Sequence, residues 1–586
     1  MKMLSVVLVS VLVLSVVVAA EDASLVSTEG GWISGVRQTA NKGRALYAYH
    51  SIPYAQPPLN HLRLKDPVPG EPWEGIKDGS KMPEPCLQVP FRLITLGHRM
   101  LPENINGSED CLYLNVFTPA NKTPKLELPV MVWIHGGAFY SGAAQEYLPF
   151  VFLNHDVVLV VIQYRLGVMG FLSTEDSVIP GNFGLKDQTL ALQWVQRNIH
   201  NFGGDKTKVT VFGESAGGAS VHFHMLAPKS KGLFSRVIMQ SGSALAPWAT
   251  GFKFRETAEE VGQAMGCPVT SDSHVLLECL QKVDAPSLAA VLQDFIQWYV
   301  FPLIFNPRVD GDFIPDHPAK LVLEGRHHKV DLMAGVTSDD GALVTHALYA
   351  SRNLISDLKV NFTTTGPASI QMMEVTDGED VVEVTRRVYQ HYLGEELNID
   401  EDHSEALTQL FSDAHFMVDH DLVTQHHAHY AHHHNTYRYE FGYRGEISFG
   451  DLYHTHVGKH WVPHADDLIY QFHHNTQQKL SKIPGKLSAP EDLRVTDIMA
   501  TLWTNFATTG NPTPDGSLGF TWEPSTEDNL QYLALNLKPT MVSDQRQEVR
   551  KFFASLPTKI NHILYPDRVL QDDTLQHNIY HAQDEL

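Results

Sequence analysis

The ten residues Val209-Thr210-Val211-Phe212-Gly213-Glu214-Ser215-Ala216-Gly217-Gly218 join an apolar strand to the start of a helix through one serine held between small residues. A turn that sharp forms only where the strand and the helix can press together, and a side chain at Gly213 or Gly217 would hold them apart. The serine then stands clear of its own backbone. It also lies at a helix N-terminus, where the amide of Ala216 and the positive end of the helix dipole face any developing negative charge.

The neighbouring segments suit such a turn. Leu128-Pro129-Val130-Met131-Val132-Trp133-Ile134 reads as a buried strand, and His135-Gly136-Gly137-Ala138-Phe139 after it as a small-residue loop able to present backbone N–H groups. Asp156–Arg165 is a nearly unbroken apolar run, as expected of a central strand in a parallel sheet. Apolar residues at Leu190, Leu192, Trp194, Val195 and Ile199 predict a crossover helix over 188–202. Strands that alternate with helices give an α/β fold with a mostly parallel central sheet and helices on both faces.

Four segments carry a resemblance: Glu109–Val116, Asn182–Gln188, Asn201–Asp205 and Gly213–Gly218. In that order they resemble the type-B carboxylesterase family of α/β-hydrolases, which includes the cholinesterases. The resemblance implies an α/β-hydrolase fold in a single domain over 21–582, with helical insertions around the active site. It further implies a serine esterase that hydrolyses carboxylic esters through an acyl-enzyme, without cofactor or metal.

An esterase of this kind orders its triad Ser, Asp or Glu, His along the chain. By resemblance the acid is Asp340, the residue before Gly341 in Met333–Gly341, where most relatives carry Glu; Asp339 is the alternative. The base is His464 in Gly458–Tyr470, with His460 and His456 as alternatives, and Ala465 stands where relatives often have Gly. The oxyanion is assigned to the amides of Gly137, Ala138 and Ala216, with Gly136 and Glu214 in support. Ala138 occupies the place of a third glycine.

Both chain ends carry an address. Residues 1–20, with Lys2 before the apolar run Leu4 to Val18, read as a cleaved signal peptide. The last four, Gln583-Asp584-Glu585-Leu586, differ at one position from the Lys-Asp-Glu-Leu retrieval signal and point to the endoplasmic reticulum lumen, secretion being the other outcome. Sequons at Asn106, Asn121 and Asn361 are glycosylation candidates. Four cysteines are too few for a disulfide scaffold. By resemblance Cys86 pairs with Cys111 and Cys267 with Cys279; the residues alone leave crossed pairings open.

The formal net charge of −23 argues against nucleic acid as a partner and favours solubility. No further segment is long and apolar enough to span a bilayer, and oligomeric state is not encoded legibly. Cholinesterases hold a quaternary ammonium on a tryptophan; the loop between Cys86 and Cys111 has Phe91 but no Trp or Tyr. The expected substrates are therefore small apolar esters, with Trp248, Trp298, Tyr299, Phe301 and Phe305 as a candidate pocket wall. Segments 250–300 and 350–435 read as helical excursions. Within the second, His426, His429 and His433 would share a helical face as a candidate zinc or nickel set, although the family needs no metal. Two rival readings stand beside the broad carboxylesterase. One is a specialised juvenile-hormone-type or lipid ester hydrolase; the elbow of the hormone esterases usually has Gln where this chain has Glu214. The other is a catalytically silent adhesion protein, a class that commonly loses the serine or histidine retained here.

Overall fold

The computed structural model describes residues 24–90, 100–120, 127–376, 378–472 and 487–566. The expected leader (1–20), Phe91, the Asn121 sequon and the tail 583–586 lie outside the described residues. Strands β1 (Leu25–Thr28), β2 (Gly31–Ser34) and β5 (Ile76–Asp78) make a small separate sheet in the order β1-β2-β5. The other eleven form the main sheet. They are β3 (Val36–Thr39), β4 (Ala45–Pro53), β6 (Tyr113–Pro119), β7 (Leu128–Ile134), β8 (Val158–Ile162), β9 (Gly204–Glu214), β10 (Arg236–Gln240), β11 (Asp331–Thr337), β12 (Thr436–Phe441), β13 (Tyr532–Leu535) and β14 (Thr540–Val542).

Their order is β14-β13-β12-β11-β10-β9-β7-β8-β6-β4-β3. Every pairing from β8 through β13 is parallel, and antiparallel strands close both edges. The central strands are apolar throughout because both faces are covered. Along β7, Val130, Val132 and Ile134 enter one core and Met131 and Trp133 the other, the period-2 alternation of a pleated strand. Helices α1 (Phe183–Asn198) and α2 (Ala216–Leu226) pack on the first face, and α6 (Asp466–Phe472) and α7 (Pro490–Thr509) on the second.

Register decides where a site can form. Ile134 is paired with Gly213, and Gln240 with both Glu214 and Gly335, so β7, β9, β10 and β11 release their following loops from one end of the sheet. In open α/β sheets, ligands bind beyond the carboxyl ends of parallel strands.

Two expectations need adjusting. The crossover helix begins at Phe183, five residues before the apolar periodicity suggested, and passes into a 3₁₀ turn over Ile199–Phe202. Segments 250–300 and 350–435 are helical in the main; α3 (Ala342–Ala350) leads into the second, which contains α4 (Ser404–Ser412) and α5 (Val418–Tyr430). But α5 ends at Tyr430, because the chain must turn to enter β12 at Thr436, so His433 does not share a helical face with His426 and His429. His427 is buried and bonded to Thr436 and the Val330 carbonyl. No group of three potential metal-binding side chains converges among the described residues.

Candidate active site

Ser215 sits where β9 becomes α2, with φ 57° and ψ −125°, a conformation that a side-chain-bearing residue holds only under surrounding constraint. The constraint is visible. Its N–H donates to the Gln240 carbonyl at 2.8 Å, and a Cβ at Gly217 would lie 2.1 Å from the Ile134 carbonyl oxygen. Backbone of α2 therefore touches backbone of β7, and the serine is levered outward to a half-buried position.

The structure brings His464 and Asp340 together. His464 Nδ1 lies 2.8 Å from Asp340 Oδ1. Asp340 is fully buried, and its Oδ2 accepts from the Ser241 hydroxyl at 2.9 Å and the Thr337 amide at 3.0 Å. The next residue, Gly341, packs so closely on α4 that a Cβ there would lie 2.4 Å from the Thr408 carbonyl oxygen. Asp339 instead anchors the histidine loop, accepting from the Val462 amide at 2.9 Å. His456 and His460 are exposed and pair with Glu401 and Glu405.

The other imidazole nitrogen faces a competitor. His464 Nε2 is 3.0 Å from Glu214 Oε1, and no hydrogen bond joins it to Ser215 among the described residues. The contact is mainly one of charge, since Oε1 has no well-directed donor. Burial alone would lower the imidazole pKa, but Glu214 and Asp340 outweigh it and push it up to about 10. Phe416 covers the ring, stacked at a centroid distance of 4.5 Å.

The candidate oxyanion loop leaves backbone N–H groups unused. Gly137 and Ala138 have φ of 102° and 57°, and a Cβ on Gly137 would come within 2.1 Å of the Ser141 carbonyl oxygen. The Gly137 carbonyl turns back to accept from Tyr140 and Ser141. Among the described residues, the N–H groups of Gly137, Ala138 and Ala216 donate to no protein acceptor, leaving them available to a substrate oxygen. Gly136 fits directly beneath the serine, where a Cβ would lie 2.8 Å from Glu214 Oε2. The loop is braced by Gln88, whose Oε1 accepts from Ser141 Oγ and the Gly142 amide, both at 2.8 Å, while its Nε2 donates to the Cys86 and Gly142 carbonyls. Cys86 is bonded to Cys111 and Cys267 to Cys279.

Several supports had not been singled out from sequence: Gln88, Gln240, Ser241, Phe416 and Asp467. Gln240 links three layers, receiving the Ser215 amide on its carbonyl, donating to Asp467 Oδ2 at 2.8 Å and accepting from Trp503 at 3.0 Å. Burial and the nearby Glu214 push Asp467 up to about 7. A clue was present, since Gln240-Ser241-Gly242-Ser243 follows an apolar strand as the oxyanion loop does. Of the candidate wall aromatics, Trp248 packs on Phe416, Phe301 stacks on His415 beside it, and Trp298 and Tyr299 continue the cluster, all buried. Phe305 contacts Phe295 instead.

The chain is similar in sequence to known proteins. Residues 22–553 match the Carboxylesterase family. Venom carboxylesterase-6 of Apis mellifera is 34% identical over 87% of this chain and 89% of its own. Juvenile hormone esterase of Tribolium castaneum is 33% identical over 85% of each, and acetylcholinesterase of Bungarus fasciatus 34% over 88% and 83%. With serine elbow, parallel sheet and a match along nearly its whole length, the chain belongs to the carboxylesterase family and is a carboxylic ester hydrolase.

Proposed function

We propose that Ser215, His464 and Asp340 hydrolyse apolar carboxylic esters through an acyl-enzyme on Ser215. The observation that carries this assignment is the His464–Asp340 contact of 2.8 Å beside the levered-out serine. As substrate enters, the Glu214 carboxylate withdraws from Nε2, the imidazole pKa falls and Nε2 gives its proton to solvent; the neutral Nε2 then takes the Ser215 proton as Oγ attacks the ester carbonyl. Asp340 holds the ring through Nδ1 and stabilises the imidazolium. The oxyanion is received by the amides of Gly137, Ala138 and Ala216, each such donor being worth about 10²- to 10³-fold in rate. The imidazolium gives its proton to the departing alcohol. Water, activated by the same base, then releases the acid.

The test is hydrolysis of p-nitrophenyl esters from acetyl to long acyl chains by the enzyme and its Ser215→Ala variant. The variant is expected to fold normally and lose at least about 10⁴-fold in kcat; undiminished turnover refutes the assignment. Comparable rates along the series indicate a broad esterase. A steep optimum indicates a dedicated substrate, such as that of the relative named a juvenile hormone esterase.

The same proposal places the protein in the endoplasmic reticulum lumen. Supporting it are the apolar leader, the terminal Gln-Asp-Glu-Leu and the two disulfides, which persist in oxidising compartments. The sequon residues Asn106 and Asn361 are exposed, as glycan attachment requires. Removing residues 583–586 is expected to move esterase activity from cells to medium. If the distribution stays the same, retrieval by this tail is refuted.

A further inference from the structure

Gln88, 4% exposed, joins the Cys86 segment to the candidate oxyanion loop, and its side-chain amide is committed to those two. Toward Gly142 it behaves like the backbone of a paired strand. Oε1 accepts from the Gly142 amide at 2.8 Å, and Nε2 donates to the Gly142 carbonyl at 2.9 Å. Oε1 also accepts from Ser141 Oγ at 2.8 Å. On its other side Gly142 packs against His135, whose Nδ1 would lie 2.3 Å from a Cβ at that glycine.

What Gln88 holds in turn aims a donor. The N–H groups of Tyr140 and Ser141 donate to the Gly137 carbonyl at 2.9 and 3.0 Å. That carbonyl and the Ala138 N–H belong to one trans peptide unit, in which the two groups point to opposite sides. Fixing the carbonyl therefore fixes the direction of the Ala138 N–H, and each bond the carbonyl accepts polarises that N–H into a stronger donor. Ala138 has φ 57°, a conformation uncommon for a residue with a side chain, so the turn keeps its shape only where its surroundings hold it.

Gln88 is itself anchored. Its N–H donates to the Asn106 carbonyl at 2.9 Å, its carbonyl accepts from the Asn106 N–H at 3.0 Å, and Cys86, two residues before it, is bonded to Cys111. Given the triad and oxyanion donors assigned above, we propose that Gln88 is a positioning residue for ester hydrolysis, coupling the disulfide-closed Cys86 segment to the oxyanion hole by setting the aim of the Ala138 N–H. Its contribution falls on the transition state, because the donor is engaged most strongly once the carbonyl oxygen carries charge.

The experiment compares full-length enzyme with Gln88→Met, which keeps the length of the side chain and removes all its hydrogen bonds, and with Ser141→Ala, which removes one of them. Rates on p-nitrophenyl butyrate are expressed per Ser215 titrated to completion with p-nitrophenyl diethyl phosphate, so misfolded chains do not count. In Gln88→Met kcat is expected to fall about 10- to 100-fold, short of the outright loss of one donor, and in Ser141→Ala about 3-fold, with KM within about 2-fold in both. Affinity for an alkyl trifluoromethyl ketone, whose adduct on Ser215 places an oxyanion among the same donors, should weaken by the factor that kcat falls. A merely structural role would lower the thermal midpoint and the yield of titratable serine while leaving kcat per serine and ketone affinity unchanged, and that result overturns the proposal. So does a loss confined to KM, or a fall in kcat without weaker ketone binding. Should Gln88→Met not fold, Ser141→Ala decides by the same two readouts. Ser215→Ala is measured alongside: turnover retained there refutes the catalytic assignment, whereas unchanged kcat in Gln88→Met beside an inactive Ser215→Ala refutes the role of Gln88 alone.

Discussion

Glu214 and Ser215 are neighbours in sequence and rivals for one nitrogen. With Nε2 against the Glu214 carboxylate, the imidazole retains its proton until about pH 10, and a protonated base cannot accept the serine proton. The carboxylate thus opposes the first step while stabilising the imidazolium formed in it. Glu214→Gln removes a negative charge that raises the imidazole pKa, so the pKa falls. The acid limb of kcat/KM is therefore expected to move to lower pH, by at least about one unit given the usual effect of an adjacent opposite charge. A pH–rate profile of both proteins on one p-nitrophenyl ester checks this, since kcat/KM reports the free enzyme; an unmoved limb would show that Glu214 does not hold the imidazolium before substrate binds. At this scale Ser215 was legible from its elbow, whereas the proposed partners Asp340 and His464 were reached through the family resemblance. Ser241 and Asp467 were not legible, because their partners arrive from other parts of the chain.

Strand and helix meet most tightly at Gly217 and Ile134. The Cβ of an alanine at 217 would lie 2.1 Å from the Ile134 carbonyl oxygen, a backbone atom that cannot swing aside. Relief requires α2 and β7 to part, and β7 leads directly into the oxyanion loop at Gly136 and Gly137. Gly217→Ala is accordingly expected to destabilise the protein by about 1–3 kcal/mol and to lower kcat more than it raises KM. Urea unfolding and steady-state kinetics on the same preparation measure the two effects. This contact was readable from the pentapeptide because small residues around a serine imply backbone approach. Element ends were less readable. The start of α1 at Phe183 and the stop of α5 at Tyr430 are set by where the chain must join the sheet, and apolar periodicity carries no record of that destination.

Across the whole molecule, burial sets two groups of titrating side chains against each other. It pushes His135, His415 and His420 down to about 4, and His222, His224 and His427 down to about 3. These histidines stay neutral in the folded protein where the unfolded chain, with pKa near 6.5, binds protons. Their contribution is complete above about pH 6.5 and is lost as pH falls toward 4, each group costing about 1.4 kcal/mol per unit in that window. Burial also pushes Glu146 and Asp467 up to about 7 and Asp466 to about 8. Those acids have the opposite sign: they keep protons the unfolded chain has released, so their contribution fades as pH rises through 7 and 8. His464, raised to about 10, likewise loses its contribution between 6.5 and 10. Below 6.5 the acids, joined by Asp413, Asp419 and Asp187, offset part of the histidine loss. Further lowered histidines, His50, His317, His327, His328 and His346, restore the balance toward acid lability. Above 6.5 no buried histidine opposes the decline, and the formal charge of −23 adds self-repulsion. The urea midpoint is therefore expected to peak near pH 6.5 and to fall on both sides, by pH 5 and by pH 8.5. A midpoint that climbs steadily from pH 6.5 to 8.5 would mean that the buried acids are ionised in the folded enzyme.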